Sequence, residues 1–160
     1  MEEPFLYYRL TPREFLFFIG NIYGIEQKTL YKRISCFLEK FAMTQHADKL
    51  ISTLSHGTKQ KVALSAALIH KPLILFLDEP FSGLDPQSLY NFKEELKKIT
   101  ARGGAVLIAT HIMEVAQTIS NRVGIINQGR QLACGTIEEL QKEFMLDTEN
   151  LEEIFLAITS

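Results

Sequence analysis

Three stretches of this chain hold residue types whose spacing suits work on a phosphate. Asp78-Glu79-Pro80 follows the apolar run Leu73-Ile74-Leu75-Phe76-Leu77, and Thr110-His111 follows the second apolar run Ala105–Ala109. An apolar run without alternation reads as a strand buried on both faces of a parallel sheet. The carboxyl ends of parallel strands share one edge, and ligands bind outside that edge. The two acids and the imidazole are therefore expected to converge on one crevice. Asp78 suits Mg2+, a hard cation held through oxygen and water. Glu79 can orient or deprotonate an attacking water, the positioning role that phosphoryl transfer demands. His111 can donate a hydrogen bond to a phosphate oxygen. The third stretch is Leu54-Ser55-His56-Gly57-Thr58-Lys59-Gln60-Lys61. A Ser and a Gly at a helix start present a hydroxyl and bare N–H groups to an anion, helped by the positive end of the helix dipole. Taken singly, the acid pair reads as turn residues and the Ser as an ordinary N-cap.

The elements that must hold these residues are legible from patterning. Thr11-Pro12-Arg13-Glu14 is a capping box with Pro at the first helical position. Phe15, Phe18, Ile19 and Ile22 follow at helical spacing, and Gly24 is the expected stop. A second helix runs through Leu30, Ile34, Phe37, Leu38 and Phe41, an apolar stripe backed by Lys and Glu. No Gly, Ser or Pro linker follows, so a sub-domain junction is expected near 50–54. From Gly57 helices and strands alternate. A helix over 58–71 is stopped by Pro72, and the strand over 73–77 leads to a helix opening at Asp85-Pro86. That helix carries Leu89, Phe92, Leu96 and Ile99 and breaks at Gly103-Gly104 before the strand Ala105–Ala109. A helix near 113–120, a strand over Val123–Asn127, a turn at Gln128-Gly129 and a short strand near 131–134 come next. Thr136-Ile137-Glu138-Glu139 is a second capping box, and Asn150-Leu151-Glu152-Glu153 opens a last helix. The alternation is that of an α/β layered domain.

Composition narrows the classes. The chain has 160 residues, 46% apolar and 22% charged, with a formal net charge of −2. That suits one domain with a core and excludes disordered, collagen-like and disulfide-scaffold chains. The near-neutral charge argues against a dedicated nucleic-acid binder. No apolar run approaches the ~18–20 residues of a spanning helix, and the acidic Met-Glu-Glu-Pro start is no signal peptide. Cys36 and Cys134 lack metal-type spacing and read as reduced and incidental in a cytosolic protein.

Taken together, residues 54–61, 73–80, Ser82-Gly83-Leu84-Asp85 and Thr110-His111 resemble, in order and spacing, four motifs of the ABC ATPase family. These are the signature motif, the Walker B strand with its catalytic Glu, the D-loop and the H-loop His. Pro4-Phe5-Leu6-Tyr7 resembles the stretch after the family's Q-loop, and residues 151–156 resemble the tail of bacterial exporters of the ABC-2 and drug-efflux type. The resemblance implies an α/β, P-loop NTPase (RecA-like) parallel sheet, incomplete, with an N-terminal helical sub-domain and a small C-terminal extension. The implied division is 1–53 helical sub-domain, 54–130 signature helix and RecA-like part, and 131–160 C-terminal strand and helices. It implies ATP and Mg2+ as cofactors, Asp78 as the metal-holding residue, Glu79 as general base and His111 as a γ-phosphate contact. Ser55, Gly57, Gln60 and Asp85 are the implied nucleotide-site set. Ser55 and Gly57 face the nucleotide of the opposite subunit, and Asp85 communicates across the dimer interface. His56 stands where the family usually has Gly, and Glu2 falls near the Q-loop Gln. Implied partners are a second nucleotide-binding domain, the same or different, and a membrane permease, with no nucleic acid. The implied location is cytoplasmic, peripheral on the inner face of the cell membrane. Arg9, Phe5, Tyr7 and Tyr8 are candidates for the permease contact, or for plain sub-domain packing.

The sequence contains no G-x-x-x-x-G-K-[ST], the loop whose N–H groups and Lys cradle phosphates. In the family it lies upstream of the Q-loop, so the chain resembles the carboxyl-terminal two-thirds of a nucleotide-binding domain, and a truncated record is the expected cause. The family's P-loop strand sits between the strands resembling 105–109 and 123–127. Without it, edges and apolar faces open, so the expectation is a marginal, aggregation-prone chain, loosened near 105–130, that does not bind ATP in its own site. The function implied is the ATP-binding and ATP-hydrolysing subunit of a bacterial ABC exporter. The alternative is a non-catalytic partner that supplies the signature motif in trans. A soluble ABC protein acting on DNA or ribosomes fits less well with the charge and with the lack of a long coiled coil.

Overall fold

A computed structural model describes residues 5–159, so Glu2 and Pro4 lie outside the described residues. The described residues form two compact units, divided between Ala109 and Thr110.

The first unit opens with α1 (Pro12–Ile22), whose capping box is complete: the Glu14 N–H donates to Thr11 Oγ1 at 3.2 Å and the Thr11 N–H donates to the Glu14 carboxylate at 2.8 Å. Its inward face differs from the expected stripe. Phe15, Leu16 and Gly20 are buried, whereas Phe18 and Ile22 lie exposed. The cause is the close approach of α2 (Gln27–Lys40), for a Cβ at Gly20 would stand 2.2 Å from a Leu30 methyl. The small residue lets the helices touch there and turns Phe18 outward. Leu30, Ile34, Phe37 and Leu38 are buried as the stripe predicts.

Two single 3₁₀ turns (Thr44–His46 and Ile51–Thr53) lead to α3 (His56–Ile69). This helix starts two residues before the expected 58 because Ser55 is the N-cap. It ends with Lys71 in the left-handed region (φ 55) ahead of Pro72. β1 (Ile74–Asp78), α4 (Pro86–Ala101) and β2 (Ala105–Ala109) follow, and the strands pair in parallel from Ile74↔Ala105 to Asp78↔Ala109. The expectation of burial on both faces is corrected. Leu75 is buried, but Ile74 and Phe76 of β1 and Leu107 of β2 share a face and are 63%, 72% and 64% exposed. Among the described residues this sheet has two strands, and the buried Leu75 lies on its other face.

The second unit holds α5 (Met113–Ile119), the antiparallel hairpin β3 (Val123–Asn127) and β4 (Arg130–Gly135), α6 (Ile137–Phe144) and α7 (Leu151–Thr159). Gln128 and Gly129 both take positive φ, 49° and 74°, the requirement of a two-residue type I′ hairpin turn. Ile125, Ala133, Leu140 and Ile154 form its core. Thr136 and Glu139 complete the second capping box, and Asn150 Oδ1 accepts from the Glu152 N–H at 2.8 Å to cap α7. Among the described residues no helix is long and apolar enough to cross a membrane.

Candidate functional site

In the first unit the chemistry gathers where β1 ends and α3 and α4 begin. Asp78 closes β1 with an exposed side chain, in register with Ala109. Glu79 then leaves the strand in the left-handed region (φ 42), its N–H donating to the Ala109 carbonyl at 2.9 Å. A non-glycine residue held there costs on the order of 1–2 kcal/mol, so the turn needs anchoring. Pro80 is buried, and Phe81 packs edge-on against Phe92 of α4 with ring centroids 6.1 Å apart. These contacts hold the turn that carries two adjacent acidic residues at one strand end.

The N-terminus of α3 is built against the 82–85 loop. Ser55 Oγ accepts from the Thr58 N–H at 3.3 Å and lies 2.9 Å from Thr58 Oγ1, while the residue itself stays exposed. A Cβ at Gly57 would stand 2.4 Å from the Gly83 carbonyl oxygen, and Gly83 has φ 72. Gly57 is therefore required by contact and Gly83 by its backbone angle, on opposite sides of one interface. Gln60 Nε2 donates to the Pro80 carbonyl at 3.3 Å, tying α3 to the turn after Glu79. Asp85 caps α4, accepting from the Ser88 N–H at 2.9 Å and the Ser88 hydroxyl at 2.8 Å, and pairs with Lys61 of α3. The Lys61 ammonium, then the Ser88 N–H, hold the Asp85 carboxyl well below the usual carboxylate range. Gln60 and Asp85 thus brace α3 against the β1 turn and α4, and Ser55 and Gly57 form the tip that is braced.

Sequence reasoning passed over two partners in this brace. Lys61 and the Pro80 carbonyl are separated from Asp85 and Gln60 by a strand or a helix, so no local spacing announces them. Tyr8 also comes to the same helix, with Lys59 Nζ lying 5.1 Å from its ring centroid. Its backbone carbonyl accepts from the Ser52 N–H at 3.1 Å. Tyr7 packs edge-on with Phe5, Phe15 and Phe18.

His111 belongs to the second unit and is exposed, one residue after Thr110, whose Oγ1 accepts from the Ile112 N–H at 3.2 Å. Among the described residues no cluster of three or more His, Cys, Asp or Glu side chains forms a metal cage. The hard cation expected of the family needs none, since Mg2+ takes one or two carboxylates with water and substrate phosphates, and exposed Asp78 fits that use. The α3 tip fits a phosphate: an α-helix leaves its first N–H groups without intrahelical acceptors, and Ser55 adds a hydroxyl beside them.

Residues 40–116 match the family described as "AAA domain, putative AbiEii toxin, Type IV TA system". The linearmycin resistance ATP-binding protein LnrL of Bacillus subtilis (strain 168) is 38% identical over 92% of this chain and 47% of its own length. The ABC-type transporter ATP-binding protein EcsA of the same organism is 32% identical over 99% of this chain and 64% of its own length. The chain thus spans about half to two-thirds of these curated relatives. A solved structure described as "Structure of ATP binding subunit of ABC transporter" superposes with a TM-score of 0.93 at 30% identity, covering 100% of this chain and 67% of that one. On these likenesses the chain belongs to the ATP-binding proteins of ABC transporters.

Proposed function

We propose that this chain works as part of the ATP-hydrolysing subunit of an ABC transporter of the exporter kind, peripheral on the cytoplasmic face of the membrane. In the complete subunit Asp78 would hold Mg2+, Glu79 would take the proton of the attacking water, and His111 would donate to a γ-phosphate oxygen. Ser55 and Gly57 present the α3 tip to the nucleotide of a second nucleotide-binding domain, and a membrane permease is the further partner. Mg2+, when bound, neutralises charge on the phosphate oxygens. The observation that carries the reading is the brace itself. The α3 tip, the 82–85 loop and the Glu79 turn are locked together by the Gly57–Gly83 contact and by the Gln60 and Lys61 links, so a ligand seated on Ser55 is felt at the catalytic turn.

None of the 160 residues supplies the Gly-Lys-Ser/Thr cradle. These residues alone therefore act on nucleotide held by another domain's cradle and do not hydrolyse ATP by themselves. The test is a turnover assay with the chain titrated onto a full-length ABC ATP-binding subunit. The wild-type chain raises the hydrolysis rate. Ser55→Asp keeps the N-cap but sets a carboxylate against the phosphate, and it abolishes the rise. An equal rise with Ser55→Asp, or none with wild type, contradicts the reading.

A further inference from the structure

At the opposite edge of the same unit, where the chain enters β1 and β2, lies a cleft of about 460 Å³ between α2, α3 and α4. Its size falls within that of small-ligand sites. Phe37, Leu68, Ile69 and Ile99 give it an apolar floor. Its rim carries Arg33, Lys40, Lys71, Lys98 and Arg102 against a single acid, Glu95. That concentration stands out in a chain of net charge −2.

Part of the positive charge answers the fold. The cleft meets the carboxyl ends of α2, α3 and α4, which finish at Lys40, Ile69 and Ala101. Arg33 Nη1 donates to the Ile69 carbonyl at 2.7 Å and Arg102 Nε to the Lys98 carbonyl at 2.9 Å. Each helix end is worth roughly half a negative charge. Five cations, one carboxylate and three helix ends leave an excess of about +2.5 charges. Glu95 is shared, its Oε1 accepting from both Lys40 and Lys98, so one carboxylate answers two ammonium groups. The fold therefore engages one donor each of Arg33, Lys40, Lys98 and Arg102 and leaves their other N–H groups, with Lys71, around a cleft lined by apolar side chains and the alkyl stems of the lysines.

We infer that this cleft binds a single-chain anionic amphiphile, an alkyl chain ending in a phosphate or carboxylate, with the chain on the apolar floor and the anion among Lys71, Lys98 and Arg102. This site lies at the strand edge away from Asp78 and does not rest on the nucleotide reading. Cys36 lines the cleft and is a free, exposed thiol, while Cys134, equally free and exposed, belongs to the other unit. The pair gives a reporter and an internal control.

The experiment follows iodoacetamide alkylation of both thiols in the full chain by mass spectrometry. Dodecyl phosphate below its micelle concentration, inorganic phosphate and neutral dodecyl maltoside are compared. Dodecyl phosphate at about ten times its Kd is expected to slow Cys36 alkylation about tenfold and to leave Cys134 unchanged. Inorganic phosphate and the maltoside are expected to do neither, and Lys98→Glu with Arg102→Glu is expected to remove the protection. Equal protection by inorganic phosphate or by the maltoside, equal slowing of both thiols, or no protection overturns the inference.

Discussion

Gly57 and Gly83 show how little room there is where α3 meets the 82–85 loop. The Cβ of an alanine at position 57 would sit 2.4 Å from a backbone carbonyl, and a backbone atom cannot swing aside as a side chain can. Gly57→Ala is expected to lower stability by about 1–3 kcal/mol, the usual range for forced overpacking, read as a lower urea midpoint. Asp85 gives a pH-dependent prediction. Its folded carboxyl is held below its ordinary value by Lys61 and Ser88, so its stabilising contribution is present above about pH 4, the unfolded value, and fades as the pH falls further. Asp85→Ala is therefore expected to cost about 1 kcal/mol near neutrality, mostly the lost cap. The ion pair adds little because the carboxylate side chain is 47% exposed. The gap in melting temperature between wild type and Asp85→Ala should shrink below pH 4, and a gap constant with pH would count against the assigned partners.

The elements divide into those that patterning exposes and those that tertiary context decides. Thr11, Thr136 and Asn150 each announce a helix start, and each caps one, because a cap is a contact within four residues. Val123–Asn127 and Ala105–Ala109 are strands with the expected bounds, each delimited by Gly or polar residues. The inward face of α1 was not legible, since it depends on Leu30 reaching Gly20 from another helix. Nor was the open face of β1 and β2, since apolarity at every position states what a strand is suited to and not what covers it. That open face carries its own prediction. Phe76→Thr with Leu107→Thr removes two large exposed apolar side chains while introducing β-branched residues suited to a strand. Aggregation and binding of an apolar dye should fall, with stability changed by no more than about 0.5 kcal/mol. A cooperative loss of structure would instead mean that the two side chains are packed. In the second unit Leu140 is fully buried in the Ile125–Ala133–Ile154 cluster. Leu140→Ala should cost about 2–5 kcal/mol, seen as faster amide exchange across residues 110–160.

At the scale of the molecule, the segments whose motif order marks the family are also the ones that the brace joins. Four short motifs identified the family, and the likeness to LnrL, EcsA and the solved ATP-binding subunit bears that out. The sequence could not reveal that the motifs support one another physically, because the contacts run between segments some 20 residues or more apart, as from Gly57 to Gly83 and from Lys61 to Asp85. The central claim is that the α3 tip meets a triphosphate held by a second domain. Amide hydrogen exchange over His56–Lys59 tests it most directly, with the chain mixed with a full-length ABC ATP-binding subunit. Slowed exchange there when MgATP and the subunit are both present, absent with either alone and lost in Ser55→Asp, is the predicted result. Unchanged exchange under all four conditions, or slowing that persists in Ser55→Asp, would contradict it.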